Sequence, residues 1–385
     1  MYKQGRQLVI LSTAFLIISS TVFGQTPNPD NSPNEVHLDP NQILDVLREQ
    51  REREPAHFIE LNQDIARLAL QLGKIDIAEQ AIDEILEYQP KNMDALTSKG
   101  RIHQLRGEYE LANSCYEQVL NMAEDINSPS WRAAALTNMG SICQFKGELE
   151  KAEEFHHSAL NIYNQIGFEQ GLVKVYDSLG FIYFEKNQLK KAEQMNNQAL
   201  ELYHKLGQAD GMANVYGNLG LISQARGDLE NAERMHHKAL ELNEKIGKLE
   251  GVVNCYGNLG NLYYKRGELN KAAEMYRKVL AIEEKLGRRR SIATSLANLG
   301  IIFMEIDDLN KAEVLFEKAL EIDMQLNNTA GIARHYRNLG TIYSKRNDFI
   351  QAKQYWEKSE KLYQKLGMKD HAKEVKAFLR ELIGR

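Results

Sequence analysis

The sequence predicts an all-α solenoid of antiparallel helix hairpins, on three observations. Glycine recurs every forty residues, at Gly100, Gly140, Gly180, Gly220, Gly260, Gly300 and Gly340. Seven residues after each comes Gly107, Gly147, Asn187, Gly227, Gly267, Asp307 or Asn347, all types that tolerate the left-handed backbone at a helix C-terminus. Five further on stands alanine in every copy, from Ala112 to Ala352, and eight beyond that leucine in six of the seven. Self-similarity at such a period marks a repeat architecture.

In chain order, residues 1–24 differ in kind from the rest. Lys3 and Arg6 precede a charge-free run, Leu8 to Gly24, which has the layout of a secretory signal cleaved after Gly24 or of an N-terminal membrane anchor. Either reading places the body outside the cytoplasm, with membrane attachment, if any, through residues 8–24. No cysteine lies nearby to carry a lipid. Residues 25–40 hold four of the seven prolines, Pro27, Pro29, Pro33 and Pro40, and are expected to be a disordered spacer. Residues 41–58 are expected to form an N-terminal capping helix region.

Residues 59–366 then hold eight repeats. The first is shorter: Ala66, Gly73, Ala78 and Leu86 fit the frame thirty-four residues before Gly100 rather than forty, and Pro90 ends it. Within one repeat, Leu172, Val175, Tyr176, Leu179, Ile182 and Tyr183 recur at helical spacing, and so do Ala192, Ala199, Leu200, Tyr203 and Leu206, giving two amphipathic helices. The forty-spaced glycine lies inside the first of them, where it costs about 1 kcal/mol against alanine. A cost carried seven times implies close helix approach. Residues 367–385 close the array with a helix over Lys369 to Ile383, apolar on one face through Ala372, Val375, Leu379 and Leu382, as the exposed end of a solenoid requires.

The stretches "YGNLGNLYYKRGELNKAAEMYRKVL" and "YRNLGTIYSKRNDFIQAKQYWEKS" resemble the tetratricopeptide repeat in their Leu-Gly pair, turn residue and A-x3-aromatic-x2-A pattern. The resemblance covers about residues 56–385 and implies a right-handed superhelix of about eight repeats. The forty-residue spacing is similar to the long-helix subtype of kinesin light chains and of bacterial regulatory repeat proteins. His156, Asn196 and His236 depart from the pattern where Tyr276, Phe316 and Trp356 stand elsewhere; those repeats are expected to bury less apolar area.

Composition excludes several functions. A net charge of −5 with both signs mixed throughout leaves no basic footprint for nucleic acid. The one basic triplet, Arg288–Arg290, reads as a solvated loop. Cys115, Cys143 and Cys255 form no metal or redox motif and read as core residues. There is no phosphate-binding loop, dinucleotide fingerprint, HExxH or GxSxG, so no enzyme and no cofactor are expected. His156–His157 and His236–His237 are adjacent pairs, splayed about 100° on a helix, which is poor zinc geometry.

The strongest candidate site is an asparagine ladder. Asn138, Asn218, Asn258, Asn298 and Asn338 each stand two residues before the repeat glycine, with Ser98 and Ser178 in the other copies. Beside a core leucine, this position points about 100° from the core, toward what the resemblance implies is the concave wall. Amides spaced by one repeat match peptide backbone, each offering donors and an acceptor. Asn214 and Asn254 lie one turn earlier on that face, and Arg334, Arg337 and Lys345 make its C-terminal end basic. Phe181, Phe184, Leu221, Tyr264, Ile301 and Met304 supply apolar positions. The expected function is a protein-interaction scaffold outside the cytoplasm that takes an extended peptide or partner segment. Peptide-sensing regulation and envelope assembly are the alternatives. A reporter active only in the cytoplasm, fused to the C-terminus, is expected to be silent; activity would overturn export.

Overall fold

The computed structural model describes residues 39–53 and 57–383. The expected signal or anchor and residues 25–38 of the expected spacer lie outside the described residues. Among those described there are eighteen helices and no strand. The chain divides into two units, one up to Ile222 and one from Ser223.

The first unit holds α1 (Pro40–Arg53), α2 (Phe58–Gln71), α3 (Ile75–Tyr88), α4 (Met93–Leu105), α5 (Tyr109–Asp125), α6 (Pro129–Phe145), α7 (Leu149–Ile166), α8 (Glu169–Glu185), α9 (Leu189–Leu206) and most of α10 (Ala209–Ala225). The second holds α11 (Leu229–Lys245), α12 (Leu249–Lys265), α13 (Leu269–Leu286), α14 (Arg289–Glu305), α15 (Leu309–Gln325), α16 (Thr329–Lys345), α17 (Phe349–Lys365) and α18 (Lys369–Ile383). Within each unit consecutive helices pack as a solenoid. Helices α2 to α4 run 13 or 14 residues against 17 or 18 in α5 to α17, because Pro90 stops the chain and Asn92 caps α4 by accepting from the Ala95 N–H at 3.0 Å. Pro40 is the first residue of α1, since a missing N–H costs nothing in a first helical turn.

The turns follow from residue type. Asn187 takes φ 55° and Asp307 φ 63°, the left-handed conformation these two side chains tolerate. After each, the chain closes the helix end: the Asp308 N–H bonds the Phe303 carbonyl at 2.9 Å. The Asp308 carboxylate then accepts from the Lys311 N–H at 3.2 Å and starts α15.

Inside six of the hairpins, the repeat glycine of the first helix receives the large side chain of the second. A Cβ on Gly100 would stand 2.6 Å from the Tyr116 ring, on Gly140 2.9 Å from His156, on Gly180 2.6 Å from Asn196, on Gly260 3.0 Å from Tyr276 and on Gly300 2.9 Å from Phe316. The seven repeat alanines, Ala112 to Ala352, are all 0% exposed. In the repeats that depart from the aromatic pattern a polar group fills the slot. His156 is fully buried and shares a 3.0 Å hydrogen bond with Gln144 Oε1. Asn196 donates to the Ala192 carbonyl at 2.8 Å.

A second glycine series, which the sequence pattern alone did not single out, sets the contact between hairpins. Gly171, Gly211, Gly251 and Gly331 face Tyr163, Tyr203, Asn243 and Asp323 of the preceding helix, with no room for a Cβ. At the ends, Leu44 and Leu47 of α1 join Leu61 and Ile65 of α2 in one cluster. Val375 and Leu379 of α18 pack with Trp356 and Tyr363 of α17.

These contacts set opposite expectations for two glycines. Phe316 is 0% exposed, and its ring stands 2.9 Å from a Cβ on Gly300, so Gly300→Ala is expected to destabilise by about 1–3 kcal/mol. Gly257 has nothing within 4 Å of its Cβ position, so Gly257→Ala is expected to stabilise by about 0.5–1 kcal/mol. Thermal melts that move the same way for both variants would refute the contact as the cause. Burial pushes the His156 imidazole down to about 4 from 6.5. A folded pKa below the unfolded one contributes stability that is present above about pH 6.5 and lost as pH falls through about 4. His156→Phe, which places in this slot the residue found at Phe316, is therefore expected to gain on the parent in melting temperature as pH drops from 7 to 4; parallel curves would contradict it.

Candidate functional site

First helices of successive hairpins lie side by side: α6 touches α8 in the first unit, and α14 touches α16 in the second. Each presents a stripe at helical spacing, while the adjacent leucine goes to the core. Leu179, Leu259 and Leu339 are 0% exposed. The stripe on α8 reads Lys174, Ser178, Phe181 and Glu185, with Phe181 half exposed.

The candidate residues fall on these stripes. In the first unit Asn214 and Asn218 are exposed and Asn138 is half-buried; in the second Asn254 is exposed, and Asn258 and Asn298 are half-buried. Among the described residues none of these six amides makes a side-chain hydrogen bond. Two buried asparagines do bond the fold: Asn196 and Asn243 donate to the Ala192 and Ala239 carbonyls one turn back in their own helices. Exposed apolar neighbours are Phe181 and Leu221 in the first unit and Tyr264 in the second. Phe184 in the first and Ile301 and Met304 in the second are half-buried.

The C-terminal part of the ladder differs from expectation. Asn338 is only 4% exposed, and its amide oxygen faces Arg337 Nη2 at 3.5 Å. Arg337 is held by Glu374 of α18 at 3.0 Å, because the closing helix brings its acidic residue against α16. Neither side chain stands open as the sequence implied. Arg334 is half-buried with an unpartnered Nε, and Lys345 donates to the Met304 carbonyl at 3.2 Å.

Sequence reasoning missed three features. Gly217 and Gly257, one residue before the ladder asparagines, have nothing within 4 Å of a Cβ position, so neither packing nor backbone geometry requires glycine there. Asp177 accepts from the Tyr203 hydroxyl between hairpins, and burial pushes its carboxyl up to about 6. Asp323, 1% exposed, accepts from Asn328 and pairs with the fully buried His335 at 2.8 Å. The forty-residue spacing of Gly171, Gly211, Gly251 and Gly331 was the available signal for these inter-hairpin groups. The paired histidines are structural: His156 packs on Gly140, and His157 shares a 2.9 Å hydrogen bond with the Tyr183 hydroxyl. Among the described residues no group of three or more potential ligands is placed to hold a metal, and no helix is long and apolar enough to cross a membrane.

Known proteins match this architecture. The model of the MalT-like TPR region matches residues 65–247, and the tetratricopeptide repeat model matches residues 211–285 and 291–365. No curated protein sequence matches the chain. Among solved structures, BtubC (BKLC) from P. vanneervenii is 23% identical with a TM-score of 0.51, over 57% of this chain and 92% of its own. A Signal Transduction ATPase with Numerous Domains with a tetratricopeptide repeat sensor, from Pyrococcus horikoshii, is 18% identical with a TM-score of 0.65, over 89% of this chain and 54% of its own. A Rap protein complexed with competence and sporulation factor is 17% identical with a TM-score of 0.54, over 88% of this chain and 99% of its own. At these identities the likeness is one of fold. With the repeat letters, the ring-on-glycine hairpins and the family models in agreement, the chain belongs to the tetratricopeptide-repeat family.

Proposed function

We propose that this chain is a non-enzymatic interaction scaffold that holds an extended peptide or partner segment against its first-helix face, outside the cytoplasm. The observation that carries the reading is the set of six asparagine amides with no partner among the described residues. An unpaired amide in water is unremarkable alone. Within the second unit, Asn254, Asn258 and Asn298 on successive first helices present donors and acceptors that suit a backbone of peptide amides. Protein or peptide recognition is the general role of the fold, and one neighbour is a Rap protein complexed with competence and sporulation factor. The histidines and buried acids that chemistry would need are engaged in packing or in bonds between hairpins. The extracytoplasmic assignment rests on the charge-free Leu8–Gly24 run.

The test uses neighbouring first helices of one unit. Random linear peptides displayed on phage are selected on the folded chain, and the best binder is titrated against Asn258→Ala/Asn298→Ala. The double variant is expected to melt within about 0.5 kcal/mol of the parent. It is expected to bind roughly a hundredfold more weakly or worse, from two lost hydrogen bonds at about 1–3 kcal/mol each. Early melting with normal affinity once folded would make the asparagines structural and remove the proposal's main support.

A further inference from the structure

A second recognition surface lies away from the asparagine stripes. Three times along the chain a tyrosine, a glutamate and a cation clamp successive hairpins together. In the first unit these are Tyr183, Glu153 and Lys186, with Lys186 Nζ 2.7 Å from Glu153. In the second, Tyr263 donates to Glu233 at 2.7 Å beside Arg266 at 2.5 Å. Tyr343 donates to Glu313 beside Arg346 at 2.6 Å. At the equivalent place between these last two, the repeat frame supplies Phe303, Ala273 and Ile306. All three polar groups are replaced together. A fourth position changes with them: Val314 is half exposed where the other forty-residue repeats carry Ser114, Glu154, Gln194, Arg234, Glu274 and Gln354.

The result is an open groove of about 500 Å³ in the second unit, between second helices α13 and α15, with Leu299, Phe303, Val314 and Leu315 in its lining. That volume is in the range of ligand pockets, roughly 300–1,000 Å³. Two cations border it. The Arg277 guanidinium stands 5.7 Å and Lys311 Nζ 5.4 Å from the Phe303 ring centre. Lys311 is paired with Asp308 at 2.5 Å. Among the described residues Arg277 has no hydrogen bond or ion pair.

We infer that this groove docks a partner polypeptide through an apolar side chain flanked by a carboxylate. The apolar wall takes the anchor, and the unpaired Arg277 takes the acid, whose charge-assisted bond is stronger beside an apolar surface than in water. A two-fold dimer through this groove is disfavoured, because a groove meeting its own image brings Arg277 and Lys311 against the same cations.

The experiment depletes a random linear peptide library on Val314→Glu and then selects it on the parent chain. Enriched peptides are expected to carry an aliphatic or aromatic residue beside Asp or Glu. Their affinity is expected to fall roughly tenfold or more with Val314→Glu or Arg277→Glu, and to be unchanged by Asn258→Ala/Asn298→Ala, which separates this surface from the first-helix face. Glu154 and Glu274 already occupy the position of Val314 in other repeats, so Val314→Glu is expected to melt with the parent. Should it melt early, Phe303→Tyr/Ala273→Glu/Ile306→Arg replaces it, rebuilding the clamp that the chain uses elsewhere. Absence of peptides that distinguish parent from variant would overturn the inference. So would enrichment of basic flanks, loss of binding confined to the asparagine variant, or parental self-association in sedimentation that Val314→Glu abolishes.

Discussion

Six hairpins depend on a ring or amide seated on a glycine. The large residue of the second helix, Tyr116, Tyr276 or Phe316 for example, occupies the volume that a Cβ on Gly100, Gly260 or Gly300 would need. This contact fixes the approach of the two helices and brings the repeat alanine to full burial. Interiors packed at crystal-like density cannot absorb an extra methyl at such a point. Glycine's cost in helix propensity is thus offset by close packing at six repeat glycines, Gly100, Gly140, Gly180, Gly260, Gly300 and Gly340. The solenoid's stability is correspondingly a sum of local contacts between neighbours.

The same geometry explains where variation is allowed. The slot position of the second helix accepts tyrosine, phenylalanine, tryptophan, histidine or asparagine, and most of its polar members find a partner, though among the described residues both ring nitrogens of the buried His236 go without one. Tyr276 reaches Asn261, His156 reaches Gln144 and Trp356 donates to the Arg337 carbonyl. The contact between hairpins is looser in chemistry still, with Tyr163 and Tyr203 in the first unit and Asn243, Glu283 and Asp323 in the second. Buried polar groups there demand partners, and the Asp323–His335 pair supplies one such set. Packing thus restricts the glycine series and leaves its opposite members free to diverge.

Freed from the core, two surfaces carry chemistry that packing does not require. On the first helices, asparagine recurs without bonding to the fold, beside glycines at 217 and 257 that crowd nothing. Between the second helices α13 and α15, a polar clamp used elsewhere gives way to an apolar groove bordered by cations. Each departs from what the hairpin needs, and each departure has a form that a polypeptide ligand matches: amides for backbone on one face, an anchor pocket with a cation on the other.

Hairpin architecture, turn positions and the closing helix were legible in the letters alone, because each rests on short-range rules. Left-handed turns demand Gly, Asn or Asp, as at Asn187 and Asp307, and the helical period marks Leu179 and Ile182 for the core. The exposure of Asn214, Asn218 and Asn254 was legible too, since these positions lie on the helix face away from the core, whereas the burial of Asn338 was not. Other facts depend on residues far apart in sequence meeting in space. Asn338 is buried beside an Arg337 that Glu374, on the closing helix, holds at 3.0 Å. The groove at Phe303 emerges only when Phe303, Ala273 and Ile306 are seen to occupy places that a clamp fills in other repeats. Sequence therefore determined the repeat and its faces. Tertiary structure decided which side chains on those faces remain unpaired, because pairing is a property of distance between helices and not of spacing along one.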